Sequence, residues 1–213
     1  AWAGVPLAEP EVEQRTREIT ALFDYAGSIG PKHWWARLAR KRSNRWIESI
    51  IGDIRDARIH PPEQSAAHAV AWHRDLEGEL LTPHVAAVEL LNVIRPIVAV
   101  GVYITFAAHA LHRHPECRRK LQADDNASYT ESFVQEVRRF YPFFPAVAAR
   151  VRREFEWNGY RFPKGRRVLL DLYGTDHDAR SWESPETFQP ERFRDWDRSP
   201  FSFIPKGGGE YHV

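Results

Sequence analysis

The stretch that decides the fold is Phe133-Val-Gln-Glu-Val-Arg-Arg-Phe-Tyr-Pro142. Glu136 and Arg139 are three residues apart in it, so on a helix they share one face. Such a pair on a protein surface is common and contributes little to stability. The downstream sequence makes the pair informative: a strand-rich segment, then Pro190-Glu-Arg-Phe193, then Phe203-x-Pro-x-Gly-Gly-Gly209. Each piece alone is weak, but their order and spacing are specific.

The longest apolar run lies upstream of this stretch, from Glu89 to Ala108. Apolar residues keep a helical rhythm from Thr82 to His112, which predicts one long helix. We expect it to be buried, because its apolar residues share one face: Leu90, Leu91, Ile94, Ile97, Val98 and Val102.

Arg95 and Pro96 make this helix unusual. A buried Arg95 would be a cation in a low-dielectric interior, which is tolerated only if a negative group pairs with it. Pro96 has no backbone N–H and frees the carbonyl of Asn92, so we expect the helix to bend or open there. The combination indicates a site for a ligand with an anionic end and an apolar remainder.

Two other interpretations of the helix remain open. Arg95 could simply pair with an internal carboxylate. The run could also cross a membrane, although its uncharged part, Pro96 to Leu111, is shorter than the roughly 20 residues a span needs and contains His109. We predict no transmembrane segment.

Composition predicts a soluble globular protein. The 213 residues are 43% hydrophobic, and the net charge of +1 gives no overall attraction to nucleic acid or to an anionic membrane. No signal peptide is visible, so we expect a cytoplasmic protein. The chain has no methionine, even at position 1, which suggests an internal piece of a longer protein.

The single cysteine, Cys117, excludes an internal disulfide and a zinc site built from cysteines. It follows Pro115 in a basic segment, where we expect a surface or packing residue. Another basic run extends from Arg37 to Arg45. Without net basicity or a binding motif, this run is expected to be the solvated face of a helix rather than a nucleic-acid site.

The remaining pattern predicts a mainly α fold with a small β-sheet. Amphipathic stripes at residues 12–23 and 46–54 indicate helices, and His114-Pro115 interrupts the helical pattern. From Ala146 to Tyr173, alternating residues and the turn Asn158-Gly159 predict a sheet of three strands. An irregular, proline-rich region follows.

The ordered motifs resemble the cytochrome P450 family. More closely, the chain looks like the bacterial fatty-acid peroxygenase branch, which contains fatty-acid hydroxylases and olefin-forming decarboxylases. The resemblance implies an incomplete P450 fold: residues 1–213 would be the central segment of one domain, helical over 1–145, with a small sheet over 146–173 and a loop region over 174–213 that leads to the heme-ligand loop. The resemblance extends over nearly the whole chain. Its matching stretches are Trp2–Leu7, Asn92–Ala99, Phe133–Arg139, Leu169–Thr175 with His177-Asp178, and Pro190–Phe193.

The resemblance also assigns roles to residues. Glu136, Arg139 and Arg192 would form the P450 core triad, a structural unit that supports the heme face. Arg95 and Pro96 would be the catalytic pair, in place of the acid–alcohol pair with which ordinary P450s deliver protons. Arg95 would bind the fatty-acid carboxylate, which would then serve as general acid–base for hydrogen peroxide.

The resemblance places the alkyl chain against Phe143, Phe144, Pro145 and Ala146. Many relatives have glycine in place of Phe144 and a bulky residue in place of Ala146, so regioselectivity stays open. The implied cofactor is heme b, held by a cysteine thiolate. The chain stops at Val213, before the expected Gly-His-Arg-Cys-Pro-Gly stretch; it therefore lacks the iron ligand, has no metal site of its own and is expected to be inactive alone.

The implied function is a heme-thiolate peroxygenase that uses hydrogen peroxide on long-chain fatty acids. It would hydroxylate them at the α or β carbon or decarboxylate them, with no redox partner strictly required and no nucleic acid bound. Two alternatives remain. A P450 monooxygenase would take electrons from a reductase, and Arg95-Pro96 disfavours it. A degenerate lipid-binding protein would have lost catalysis.

Overall fold

The computed structural model describes residues 2–25, 27–125, 127–196 and 199–209. The described parts are mostly helical with short antiparallel strands, so the predicted fold class is confirmed. The helices are α1 (Glu9–Asp24), α2 (Pro31–Arg55), α3 (Ala66–Ala71), α4 (Pro83–Arg113), α5 (Pro115–Gln122), α6 (Ser128–Phe140) and α7 (Leu172–Asp176), with a 3-10 turn at Pro190–Phe193. The strands are β1 (Ala146–Arg150), β2 (Phe155–Trp157), β3 (Tyr160–Phe162) and β4 (Arg167–Asp171).

The chain divides into two compact units, the first ending at Gly101 and the second beginning at Val102. The core of the first unit lies between α2, α3 and the beginning of α4. The predicted stripe of α2 supplies its largest members, since isoleucines repeat at helical spacing on the buried side of that helix. The buried cluster consists of Ile47, Ile50, Ile51, Ile54, Ala67, Ala71, Ala86, Ala87 and Leu90.

The described part of the second unit contains two apolar clusters. One lies between the end of α4, α5 and α6, and it includes the buried Cys117, which is therefore a packing residue. The other joins Trp182, Phe193 and Phe203 from the irregular region after α7. The first of these clusters consists of Ala110, Cys117, Phe133, Val137 and Phe188.

Helix α4 has the predicted extent but not the predicted burial. Leu90 and Leu91 are buried, whereas Ile97 and Val100 are each 48% exposed and Arg95 is partly exposed. The core residues of α2 and α3 pack around Ala86, Ala87 and Leu90, and the turns that carry Ile97 and Val100 lie beyond this core. The expectation that this whole face is buried is wrong for the structure.

Helix α4 is also long and apolar enough to cross a membrane, and 22% of its most apolar 18-residue window is buried. Length and composition alone are a weak indication, because the core helix of a soluble protein meets the same criterion. The helical assignment continues through Pro96. A bend at this residue stays a prediction.

The strands form two sheets rather than the one predicted sheet. β1 pairs with β4, and β2 pairs with β3 through the turn Asn158-Gly159, both residues having positive φ as a type I′ turn requires. The last predicted strand ends early because the Asp171 carboxylate accepts the Gly174 N–H at 2.8 Å and starts α7. Leu172 and Tyr173, predicted in this strand, are therefore helical.

The substitution Leu90→Ala should destabilise the protein by roughly 3 kcal/mol, because it leaves a cavity in the core of the first unit. Leu76→Ala is the matched control, since the Leu76 side chain is fully exposed. Urea denaturation followed by circular dichroism measures both variants. Equal losses of stability would contradict the assignment of this core.

Candidate functional site

Glu136, Arg139 and Arg192 meet in the interior of the second unit. Both Glu136 and Arg139 lie on the buried side of α6, with 0% and 1% of their surface exposed. Arg139 binds the carboxylate with two donors, Nε to Oε2 at 2.7 Å and Nη2 to Oε1 at 2.9 Å. Arg192, from the 3-10 turn, donates its Nε to the same Oε1 at 3.3 Å. One carboxylate therefore bridges two cations that are far apart in the chain.

Main-chain oxygens take up the other donors of the two arginines. Two cations share one anion here, so the excess charge must be balanced by dipoles. The Gln189 N–H adds a further bond to Glu136 Oε1 at 2.8 Å. The arrangement thus ties α6 to residues 176–192. The accepting carbonyls are those of Asp176, Pro185 and Thr187 for Arg139, and of Glu183, Ser184 and Thr187 for Arg192.

Asp176 and His177 are buried polar residues beside this cluster that the sequence interpretation did not single out. His177 lies in a stretch that resembles P450s and Asp176 lies next to it, but no charge pattern around them signals burial. The neighbouring Asp178 has the same chemistry as Asp176 and is bound to Arg180 instead. Only the folded chain shows which of the two carboxyl groups is enclosed.

The Asp176 carboxyl group accepts the backbone N–H of Ile204 at 2.8 Å through Oδ1. Burial raises its pKa to about 7, although this hydrogen bond and the positive charge of Arg139 act in the opposite direction. Asp176 therefore carries a proton in the folded state under conditions where an exposed aspartate is ionised. It also connects α7 to the segment that leads into the glycine-rich loop.

His177 stacks on Tyr173, with ring centroids 4.1 Å apart, and its Nδ1 lies 3.0 Å from the Tyr173 carbonyl oxygen. Because a carbonyl only accepts, Nδ1 carries the proton and Nε2 does not. Nε2 is buried and has no partner among the described residues. Burial lowers the pKa of His177, so the ring is neutral near pH 7.

Arg95 and Pro96, the predicted catalytic pair, lie in the part of α4 that belongs to the first unit. Arg95 is partly exposed and has no hydrogen bond or ion pair within the described parts of the chain. An internal carboxylate partner for Arg95, the simpler interpretation of its charge, is absent among these residues. Ile94, Ile97 and Val98 surround it along the helix, so an unpaired cation is set in an apolar surface.

The predicted alkyl-binding residues lie together in the second unit, between α6 and β1. Phe143 stacks on Tyr103 of α4 at 5.5 Å, and Phe144 packs edge-on against Phe143 at 4.5 Å. The Pro145 carbonyl accepts two N–H groups from the start of α7, and Ala146 opens the β1–β4 ladder. The segment is therefore held by its backbone while the Phe144 ring remains exposed.

A cavity of about 380 Å³ lies between α6 and described residues of the region from Phe193 to Gly207, and none of the predicted site residues lines it. Its wall includes Glu131, Gln135 and Arg138. In the described ranges, no group of three or more His, Cys, Asp or Glu side chains could hold a metal ion.

Comparison with known proteins decides the family. The cytochrome P450 family model matches residues 104–210, half of the chain, and this range includes the whole Glu136–Arg139–Arg192 cluster. The chain belongs to the cytochrome P450 family. The predicted family membership is confirmed.

Three solved P450 structures resemble nearly the whole chain. Cytochrome P450SP alpha (CYP152B1) in complex with (R)-ibuprofen is 56% identical over 99% of this chain, with a TM-score of 0.88. Cytochrome P450EX alpha (CYP152N1) with myristic acid is 49% identical over 98%, with a TM-score of 0.88. A variant of cytochrome P450 OleT in complex with arachidonic acid is 34% identical over 99%, with a TM-score of 0.86. These similarities confirm the branch that the sequence indicates.

The chain spans about half the length of these solved P450s, namely 51%, 50% and 50% of each. It spans a smaller share of curated P450s such as cytochrome P450 71D94 of Mentha gracilis, 27%.

Membership of the family implies heme, whose iron a P450 holds through a cysteine thiolate. Cys117 is the one cysteine of the chain, and it does not fit this role. It is buried in the apolar cluster of α5 and α6, and burial raises the pKa of its thiol, which disfavours the thiolate. The residues present thus do not supply the axial ligand of the iron.

The substitution Arg139→Lys should destabilise the protein by roughly 3 kcal/mol. Lysine keeps the charge but cannot bind Glu136 with two donors and also reach three carbonyls. Arg138→Lys is the matched control, because Arg138 is the next residue on α6, is only half-buried and bonds Gln135. Chemical denaturation compares the two. Similar stabilities of the two variants would show that the two-donor contact of Arg139 with Glu136 does not stabilise the fold.

The buried Asp176 should make stability depend on pH. Its folded pKa is raised above the ordinary value near 4, so the folded state keeps a proton that the unfolded state has released. Stability should therefore fall as the pH rises towards 7. Asp176→Asn keeps an oxygen for the Ile204 N–H and removes the charge. The free energy of unfolding of this variant, relative to that of the wild type, should increase by on the order of 2 kcal/mol as the pH rises from about 5 to about 8.

Denaturation curves at several pH values measure this gain. Asp178→Asn is the control, because binding to Arg180 lowers the pKa of Asp178 to about 2 and its charge is constant over this range. A stability difference for Asp176→Asn that does not change with pH would contradict the enclosed, protonated carboxyl group.

Proposed function

We propose that the protein containing this chain is a fatty-acid peroxygenase, a heme-thiolate P450 that oxidises long-chain fatty acids with hydrogen peroxide. The observation that carries the proposal is Arg95, a cation without a partner among the described residues and set in an apolar stretch of α4. A ligand that has a carboxylate at one end and an alkyl chain at the other complements such a surface.

The solved relatives support this choice of substrate. P450EX alpha was solved with myristic acid and an OleT variant with arachidonic acid, and both align with nearly the whole of this chain. We therefore assign long-chain fatty acids to this protein as its substrate class. Chain length is left open, because these two acids already differ in it.

Arg95 would bind the substrate carboxylate through its planar guanidinium group. This group presents donors in a fork that matches two carboxylate oxygens, and it stays charged at every physiological pH. A carboxylate also supplies the counter-charge that Arg95 lacks in the described chain. The same ion pair would then position the α and β carbons, since these lie one and two bonds from the anchored group.

The alkyl chain would contact the aromatic segment at the start of β1. Phe144 is exposed there, and Phe143 is held in place by its stack on Tyr103. Phenylalanine rings offer a large apolar area and few rotamers to restrict, which suits a saturated chain. Ala146 has a small side chain, and we expect the sizes of the side chains at 144 and 146 to influence the choice between hydroxylation and decarboxylation.

The anchored carboxylate would also serve as the general acid–base for peroxide. It can accept a proton from one oxygen of hydrogen peroxide and return it to the other, a role that protein side chains fill in many enzymes. This gives Arg95 a second task, because its charge favours the ionised carboxylate that must accept the proton. A reductase would not be needed, since peroxide brings both oxygen and oxidising equivalents. We place the enzyme in the cytoplasm.

Arg95→Ala in the intact, heme-loaded protein should lower kcat/KM for a long-chain fatty acid with hydrogen peroxide by about a hundredfold or more, because losing a charged anchor costs a few kcal/mol. Product analysis by mass spectrometry measures this. Adding a short carboxylic acid to this variant should permit some peroxide-driven turnover of a substrate that has no carboxylate, because the added acid supplies the general acid–base. Arg113→Ala is the control on the same helix and should retain activity.

Two results would contradict the proposal. The first is unchanged fatty-acid turnover in Arg95→Ala. The second is turnover that requires a reductase and reduced nicotinamide and does not occur with hydrogen peroxide alone, which would favour a reductase-dependent monooxygenase. Fatty-acid binding without turnover in either assay would favour a degenerate lipid-binding protein.

A further inference from the structure

One side of α2 carries a surface whose chemistry is not explained by the proposed site. Trp34, Arg37, Leu38, Lys41 and Arg45 follow one another at offsets of 3, 4, 7 and 11 residues from Trp34, so they share one side of the helix. We call these five residues the basic α2 face. The opposite side of the same helix carries the buried residues Ala39, Ser43, Ile47, Ile50 and Ile54.

The basic α2 face exposes large apolar side chains between its cations. Trp34 is 66% exposed and Leu38 is 42% exposed, although both lie on a helix whose other side forms the core of the first unit. A helix that is already anchored by its isoleucines does not need further apolar residues facing water. Their presence between three basic residues indicates contact with something both apolar and anionic.

The cations of this face are not neutralised within the first unit. Arg37, Lys41 and Arg45 have no ion pair in the described part of the chain, and α2 contains no acidic residue between Pro31 and Ile47. Arg37 lies over the Trp34 ring at 5.5 Å, which leaves its charge unbalanced. The nearest carboxylate along the face, Glu48, is bound to His84 Nδ1 at 2.5 Å.

We infer that the basic α2 face binds the surface of an anionic lipid membrane, with α2 lying flat on it. Tryptophan and leucine can enter the boundary between headgroups and acyl chains, while lysine and arginine reach the phosphates beside them. Each of the three cations adds attraction to an anionic bilayer. The basic side chains of this face thus complement the lipid phosphates, and its apolar side chains complement the acyl chains.

A lipid surface fits this face better than a nucleic acid does. Leu38 offers neither a stacking plane nor a hydrogen bond to a base, and Trp34 is the one aromatic ring among the five residues. The overall charge of +1, which argues against anionic partners when taken for the whole chain, is an average that conceals this local excess. The inference does not depend on the proposed fatty-acid chemistry.

Co-sedimentation with vesicles tests the inference in the purified protein. The wild type should bind vesicles of equal parts phosphatidylglycerol and phosphatidylcholine, and not vesicles of phosphatidylcholine alone. The triple variant Arg37→Glu, Lys41→Glu, Arg45→Glu should bind about a hundredfold more weakly or worse, because each cation near an anionic bilayer contributes about fivefold. Salt should weaken the binding of the wild type, since these charges are exposed.

Further variants and a folding check distinguish binding by this face from an effect of overall charge and from misfolding. Arg118→Glu, Arg119→Glu, Arg153→Glu changes the charge by the same amount on exposed residues elsewhere and should keep most of the binding. Leu38→Ser should weaken binding severalfold with the charge unchanged. Circular dichroism verifies that each variant is folded.

Three outcomes would overturn the inference. One is that the wild type does not bind the anionic vesicles, and another is that the two triple variants lose equal affinity. The third is binding of a single-stranded oligonucleotide by the same face without binding to vesicles, which would assign the surface to nucleic acid.

Discussion

Two arginines share one enclosed glutamate, and the second unit is arranged around that constraint. A buried carboxylate and a buried guanidinium group are each costly without partners, so Glu136 and Arg139 require one another. Arg192 adds a second cation, which must be balanced by main-chain oxygens. Asp176 at the end of α7 and the irregular segment after it supply those oxygens. A region with little regular structure thereby acquires a defined conformation.

The sequence predicts those parts of the fold that depend on local pattern. Helical periodicity predicts the extent of α4, and Asn158-Gly159 predicts the hairpin of β2 and β3. The prediction of a single three-stranded sheet fails because β1 pairs with β4 and β2 pairs with β3 in separate sheets, and alternation does not reveal which strands pair. The Asp171 side-chain hydrogen bond, which alternation also does not reveal, ends β4 early and begins a helix. The burial of Asp176 in place of Asp178 likewise depends on neighbours from distant parts of the chain.

Periodicity states which residues share a face, not what covers that face. Leu90 is enclosed and Ile97 is not, although both belong to the same predicted stripe. Net charge has the same weakness, since it adds residues that lie far apart in space. The basic run of α2 is balanced elsewhere in the chain, and only its placement opposite a buried stripe shows that the charges are concentrated. The spacing of Glu136 and Arg139 is informative because both partners lie on one helix.

Cys117 has a practical consequence. The one thiol of the chain is enclosed by the cluster around α5 and α6 and lies beside Tyr129, so thiol reagents can reach it only when that cluster opens. The rate at which a maleimide or a disulfide reagent modifies the native chain would therefore measure how often this part of the second unit opens. The same enclosure protects the folded chain from covalent dimerisation and from oxidation of sulfur, hazards that become acute only on unfolding.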